Sequence, residues 1–264
     1  MSAAGAGSDL GPLRLPQVRL VLAVSLDGRL APPEGGAAQL GGAGDRRALE
    51  EALAWADGCL IGAQTLRLHG STCLIRQADL LERRRLQGRP PQPWALAVSR
   101  SGWLDPQLPF FHQPVRRGLL TPAGASASPP AGFDRLWRLP PDAEPLPGSA
   151  AEANPPQAGS RGWPGLLAAL AAEGMDRLLL LGGARLAARL LALDLVDGLQ
   201  LTLVPRLLGG AHSWLPLAPL PAAGRWQLEE SRPLGQGELL VRYGRPNGGT
   251  GSAPGSAPGS GTGP

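Results

Sequence analysis

Three segments of this sequence set glycine-bearing turns where chemistry could be done: Ser25-Leu26-Asp27-Gly28, Gly62-Ala63-Gln64-Thr65 and Gly182-Gly183. Each closes a short apolar run that reads as a strand. In an open α/β sheet, ligands collect beyond the carboxyl ends of strands, where helix N-termini direct free N–H groups at anions. A phosphate-bearing cofactor suits such turns, although a Gly-Gly pair after a strand also serves as a plain tight turn. Asp27 reads first as a turn residue accepting backbone N–H bonds and second as a direct participant. Of the three histidines, His69 is the natural proton donor if one is needed, since imidazole titrates near neutral pH, although within His69-Gly-Ser-Thr72 it reads first as a loop residue. His112 and His212 have no acidic neighbour in sequence and read as structural.

The composition removes other chemistries. No lysine occurs, so all 25 basic residues are arginine, set against 21 acidic ones. Only Cys59 and Cys73 are present, with no CxxC pair and no cysteine-histidine cluster, which excludes a disulfide framework and predicts no metal site. The charge of +4 is modest and scattered, and its densest run, Glu82 to Arg85, fits the wet face of a short helix, so no nucleic-acid partner is expected. The N-terminal stretch lacks a signal-peptide pattern and no apolar run reaches the roughly 18 residues of a membrane span, so a cytoplasmic protein with no membrane partner is expected. Seven tryptophans read mainly as core anchors, with Trp214 beside Gly209-Gly210 the best placed to face a ligand.

The elements that must position these residues alternate, which predicts an α/β sheet within one domain. Strands are expected at Val18 to Val24, Cys59 to Ile61, Trp94 to Ser99, Arg117 to Leu120 and Arg177 to Leu181. Helices are expected from Asp45, as the capping residue, to Ala56, over Ala78 to Gln87, Pro164 to Glu173 and Arg185 to Leu193. Leu199 to Val204, Trp226 to Glu230 and Glu238 to Tyr243 are strands with no helix between them, so the sheet should finish in antiparallel pairing. Residues 1–16 and the Gly/Ser/Ala/Pro tail 247–264 are expected to be disordered, flanking a domain over 17–246. A Pro/Ala/Gly-rich insertion at about 121–160 encloses Phe133 to Leu139, a candidate edge strand.

Taken together and in order, VRLVLAVSLDGRLA at 18–31, ADGCLIGAQTLR at 56–67 and LLLLGGARLAARLLALDLVDGLQLTLVPRLLGG at 178–210 resemble the reductase domain of the riboflavin-biosynthesis deaminase-reductase family. That resemblance implies a dihydrofolate reductase-like fold, a mixed, mostly parallel sheet flanked by helices. The zinc deaminase signature, H-x-E with a later P-C-x-x-C, is missing, so the resemblance is to a stand-alone reductase. It implies an NADPH-dependent oxidoreductase, probed first with 5-amino-6-(5-phosphoribosylamino)uracil, which the family reduces by hydride transfer to the ring-opened ribosyl C1. It also implies a homodimer.

Residue by residue, the resemblance puts Ala23, Thr65, Gly182 and Gly183 against NADPH, with Ser99 and Arg100 near the adenosine ribose. An arginine there suits a 2′-phosphate. Ser25 and Arg76 fall at substrate-binding positions, Arg76 toward the substrate phosphate, and His69 and Asp27 are the catalytic candidates. The rest of the substrate side departs from the family, whose polar contacts are replaced by Val21, Leu53, Leu181 and His69. Two alternatives stay open: an NADPH-dependent reductase of another small heterocycle or carbonyl compound, and a cofactor-binding homologue without turnover.

Overall fold

A computed structural model of the chain describes residues 13–36, 38–122, 128–139, 162–215 and 225–246. Nine strands form one sheet: β1 Gln17–Ser25, β2 Gly58–Gly62, β3 Trp94–Val98, β4 Arg117–Pro122, β5 Arg135–Leu139, β6 Arg177–Leu180, β7 Gly198–Val204, β8 Gln227–Gly235 and β9 Glu238–Gly244. Their order is β5-β4-β3-β2-β6-β1-β7-β9-β8. Every pairing from β5 to β7 is parallel, and β9 pairs antiparallel with both β7 and β8. The expected mixed sheet, mostly parallel with an antiparallel finish and flanked by helices, is present.

Helices cover both faces: α1 Ala43–Trp55, α2 Ala63–His69, α3 Ala78–Leu86, α4 Gly162–Ala172 and α5 Ala184–Ala192. The central parallel strands are mostly apolar because their side chains alternate between two covered faces. From β1, Leu20, Leu22 and Val24 pack with Leu166 and Leu170 of α4 and Leu190 of α5. Val21 points the other way and packs with Leu53 of α1, Leu80 of α3 and Leu179 of β6. A third cluster, including Ile61, Leu66, Phe110 and Leu119, lies under α2 and the 3-10 turn Pro109–His112.

Two arginines finish α1. Its last carbonyls have no intrahelical donor, and Arg84, 1% exposed, donates from Nη1 to the carbonyls of Leu53, Ala54 and Ala56 and from Nε to that of Pro90. Arg89 donates to Ala54 and Ala56 as well. Glu50, on α1 and 3% exposed, accepts the N–H groups of Arg76 and Gln77 at 2.7 and 2.9 Å, placing a carboxylate at the N-terminus of α3.

Boundaries differ from expectation in two places. Asp45 does not cap α1, which starts two residues earlier, at Ala43 after Gly42, with no side-chain cap bond; the Gly42 N–H instead donates to Glu238 of β9 at 2.6 Å. Strand β8 runs five residues past Glu230, carried across two register shifts against β9. The Phe133 to Leu139 run does form an edge strand, β5, parallel to β4. The expected terminal disorder and most of the 121–160 insertion fall outside the described residues.

Candidate active site

Strand order fixes where a ligand can enter. From β1 the chain leaves through α1 toward β2, on one side; from its neighbour β6 it leaves through α5 toward β7, on the other. Such a switch point opens a crevice at the carboxyl ends of the two strands. The turns following β1, β2 and β6 therefore meet there.

The β2 and β6 turns are stitched together. Gly62 N–H donates to the Gly182 carbonyl at 3.3 Å, and Gly183 N–H donates to Thr65 Oγ1 at 3.1 Å. Gly182 has φ +98° and Gly183 φ +41°, conformations that L side chains rarely adopt. A Cβ on Gly183 would lie 3.3 Å from Thr65 Oγ1. Helix α5 starts at once, with neither a side-chain cap nor an acidic residue in its first turn, so the leading N–H groups of α5 remain open to an anion.

The turn after β1 is held by the loop that follows β7. Ser25, 1% exposed, donates its hydroxyl to Asp27 at 2.5 Å and accepts the Arg29 N–H at 2.9 Å. Asp27 also accepts the N–H groups of Leu208, at 3.1 Å, and Gly209, at 2.7 Å. The Ser25 hydroxyl foremost, and the Leu208 N–H next, hold the Asp27 carboxyl down at about 2. Asp27 is thus a carboxylate at neutral pH, anchoring one loop to another. Trp214 N–H donates to the Gly28 carbonyl at 3.2 Å, and its indole packs over Gly28.

The structure brings Ser25 with Asp27, and Thr65 with Gly182 and Gly183, into direct contact; Ala23, half-buried, lies on β1 beside them. Ser99 is 2% exposed at the end of β3, its N–H on the Leu120 carbonyl, and the next residue, Arg100, is exposed. Across β2 from β6 at strand spacing, that is about 10 Å from the Gly-Gly turn. His69, exposed, ends α2 one helical turn after Thr65 and on the same face. Arg76 is exposed, and among the described residues its side chain forms no ion pair; its main chain is tied to Glu50. His69, Arg76 and Arg100 are not joined to the Ser25–Asp27 or Thr65–Gly183 pairs by any hydrogen bond or ion pair among the described residues.

The replaced positions have become core. Leu53 is fully buried and Val21 is 9% exposed in one apolar cluster, with Leu181 packed against it. The donors at Leu208 and Gly209 escaped the sequence reading, since the loop's only signal there was the Gly209-Gly210 pair. No cluster of metal-ligating side chains occurs among the described residues.

Residues 151–240 match the family model of the RibD C-terminal domain. That stretch is similar to the RibD reductase half. The resemblance seen in the sequence motifs is borne out there, although no curated protein matches the chain in sequence. Among solved structures, a pyrimidine reductase-like protein of Corynebacterium diphtheriae superposes with a TM-score of 0.66 at 20% identity, over 87% of this chain and 92% of that one. RibD of Acinetobacter baumannii gives 0.67 at 19% identity, over 88% of this chain and 58% of its own. The diaminohydroxyphosphoribosylaminopyrimidine deaminase/5-amino-6-(5-phosphoribosylamino)uracil reductase of Thermotoga maritima gives 0.63 at 18% identity, over 88% and 57%. The chain thus spans somewhat more than half of the two latter proteins, and at these identities the likeness is one of fold. No helix among the described residues is long and apolar enough to cross a membrane.

Proposed function

We propose that the chain is an NADP(H)-dependent reductase acting on a small phosphorylated substrate, with 5-amino-6-(5-phosphoribosylamino)uracil as the first candidate. The observation that carries this reading is the Thr65–Gly183 contact at the switch point. Two glycines with positive φ leave no side chain over the turn, and α5 opens directly behind it with free N–H groups. Those residues fit a dinucleotide pyrophosphate, with Ser99 and Arg100 toward its ribose and Ala23 beside the turn. The cofactor would supply a hydride.

Reduction of a ring-opened imine needs that hydride on carbon and one proton on nitrogen. His69 is assigned the proton, because it lies one turn beyond Thr65 on the same exposed face. Asp27, engaged by Ser25, Leu208 and Gly209, keeps the loop after β7 against the site rather than delivering a proton. Arg76 is assigned the substrate phosphate.

A second reading rests on Val21 and Leu53. Both sit inside the core, where a polar substrate contact has no place. That favours an NADPH-dependent reductase of a different heterocycle or carbonyl compound. Anaerobic incubation with NADPH and the riboflavin intermediate, followed by product analysis, separates the two. Formation of the ribitylamino product supports the first, and cofactor binding without turnover of the intermediate supports the second. The proposed setting is the cytoplasm, and the proposed assembly is a homodimer. Strands β7 and β9 are interior to the sheet, so they offer no edge, but on the face away from α1 they carry Leu201, Leu203, Leu239, Val241 and Tyr243, all half-buried.

A further inference from the structure

A second polar cavity lies at the opposite end of the sheet from the switch point, and it does not depend on the function proposed above. It occupies about 330 Å³ between α1, the start of β1 and the antiparallel strands β7, β9 and β8. Arg19, its residue on β1, is six positions before Ser25, or about 20 Å along the strand. Four arginines line it, Arg19, Arg83, Arg232 and Arg242, with Glu51 as the one carboxylate in the lining.

Two of these arginines are matched. Arg232 pairs with Glu51 and Glu230, and Arg242 with Glu229 and Glu230. The other two are not: among the described residues neither Arg19 nor Arg83 has a carboxylate within ion-pair distance. Arg19 is half-buried, its guanidinium 4.1 Å over the Trp55 ring; burial first and the nearby Arg242 charge second lower it to about 10, partly offset by the more distant Glu229 and Glu230 carboxylates. Arg83 reaches the same cavity from α3. The floor is closed by Gln200, 4% exposed, whose amide is fixed by donating to the Ala48 carbonyl of α1.

A cavity lined by two guanidinium groups that have no ion-pair contact of their own is complementary to a multivalent oxyanion, and the guanidinium fork favours phosphate oxygens. An anion bound there would relieve the repulsion between Arg19 and Arg242. The Trp55 ring already carries two guanidinium groups, Arg19 at 4.1 Å and Arg177 at 5.9 Å from its centroid, so the ring serves to hold Arg19 rather than to stack a base. We propose that this cavity is a binding site for a phosphate-bearing small molecule, held by Arg19 and Arg83 and separate from the site at the strand ends.

The test uses the full chain, inorganic pyrophosphate as the probe and the Trp55 indole N–H resonance as the readout, assigned by its loss in Trp55→Phe. The resonance is expected to shift saturably, with Arg19→Gln and Arg83→Gln each weakening binding about ten- to a hundredfold, as loss of one charge-assisted bond does. Anion bound at the α5 end leaves Trp55 unmoved. No saturable shift, a shift reproduced by sodium chloride at equal ionic strength, or unchanged affinity in Arg83→Gln overturns the proposal. Arg83 is on the surface of α3, so that variant decides the matter even where Arg19→Gln does not fold.

Discussion

Replacing Gly183 by valine tests both the strain in the β6–α5 turn and the identity of what approaches it. The backbone there has φ +41°, and a Cβ would stand 3.3 Å from Thr65 Oγ1. Holding a non-glycine residue in such a conformation costs about 1 to 3 kcal/mol. For a domain of this size, each kcal/mol lowers the melting temperature by roughly 2 to 4 °C, so a fall of about 2 to 12 °C is expected in a protein that stays folded at room temperature. NADPH affinity should fall more than tenfold, because the isopropyl group stands over the N–H groups the pyrophosphate would meet. Gly174→Val supplies the control. Gly174 has φ +84° with nothing within 4 Å of its Cβ, and it precedes β6 at the far end of the strand. That variant should pay a similar strain and keep its affinity. Thermal unfolding and calorimetry on the pair give both quantities, and Gly183→Val binding NADPH as the parent does would refute the assignment of the turn.

Arg76→Ala should raise KM strongly while leaving NADPH affinity unchanged, with Arg76→Lys restoring only part, since an ammonium cannot form two parallel bonds; equal kinetics in steady-state assays of all three would make Arg76 a surface residue. Arg84→Met should destabilise the protein by about 2 to 4 kcal/mol in urea titration, because the Pro90 carbonyl and the end of α1 lose charge-assisted donors; a midpoint equal to the parent's would remove the clamp from the account. Light scattering at micromolar concentration should return the mass of a dimer, and a monomer would leave the apolar face of β7 and β9 without the cover proposed for it.

Most elements were legible in the sequence because their apolar runs match covered strand and helix faces. Leu20 to Val24 and Leu178 to Leu181 read as unbroken hydrophobic segments, and the Gly182-Gly183 break between strand and helix is visible from residue type alone. Tertiary contacts were not legible. Asp45 has the chemistry of a cap, but α1 starts after Gly42, whose N–H is held by Glu238 196 residues on, and no local pattern announces that choice. The same holds at the site: Thr65 and Gly183 are 118 residues apart, and Asp27 is held by N–H groups 181 and 182 residues on. Backbone donors carry no residue signature, so Leu208 and Gly209 could be found only from the fold. Val21 and Leu53 were visible as apolar departures, and the structure adds their physical meaning, which is that core packing fills those positions.

The central claim is that the turns after β2 and β6 hold NADP(H), and calorimetric titration of the parent protein with NADPH and with NADH tests it most directly. The account predicts one site per chain, with NADPH bound about ten- to a hundredfold more tightly through Arg100 and the 2′-phosphate. Equal affinity for the two would remove Arg100 from the site, and binding of neither would contradict the claim itself.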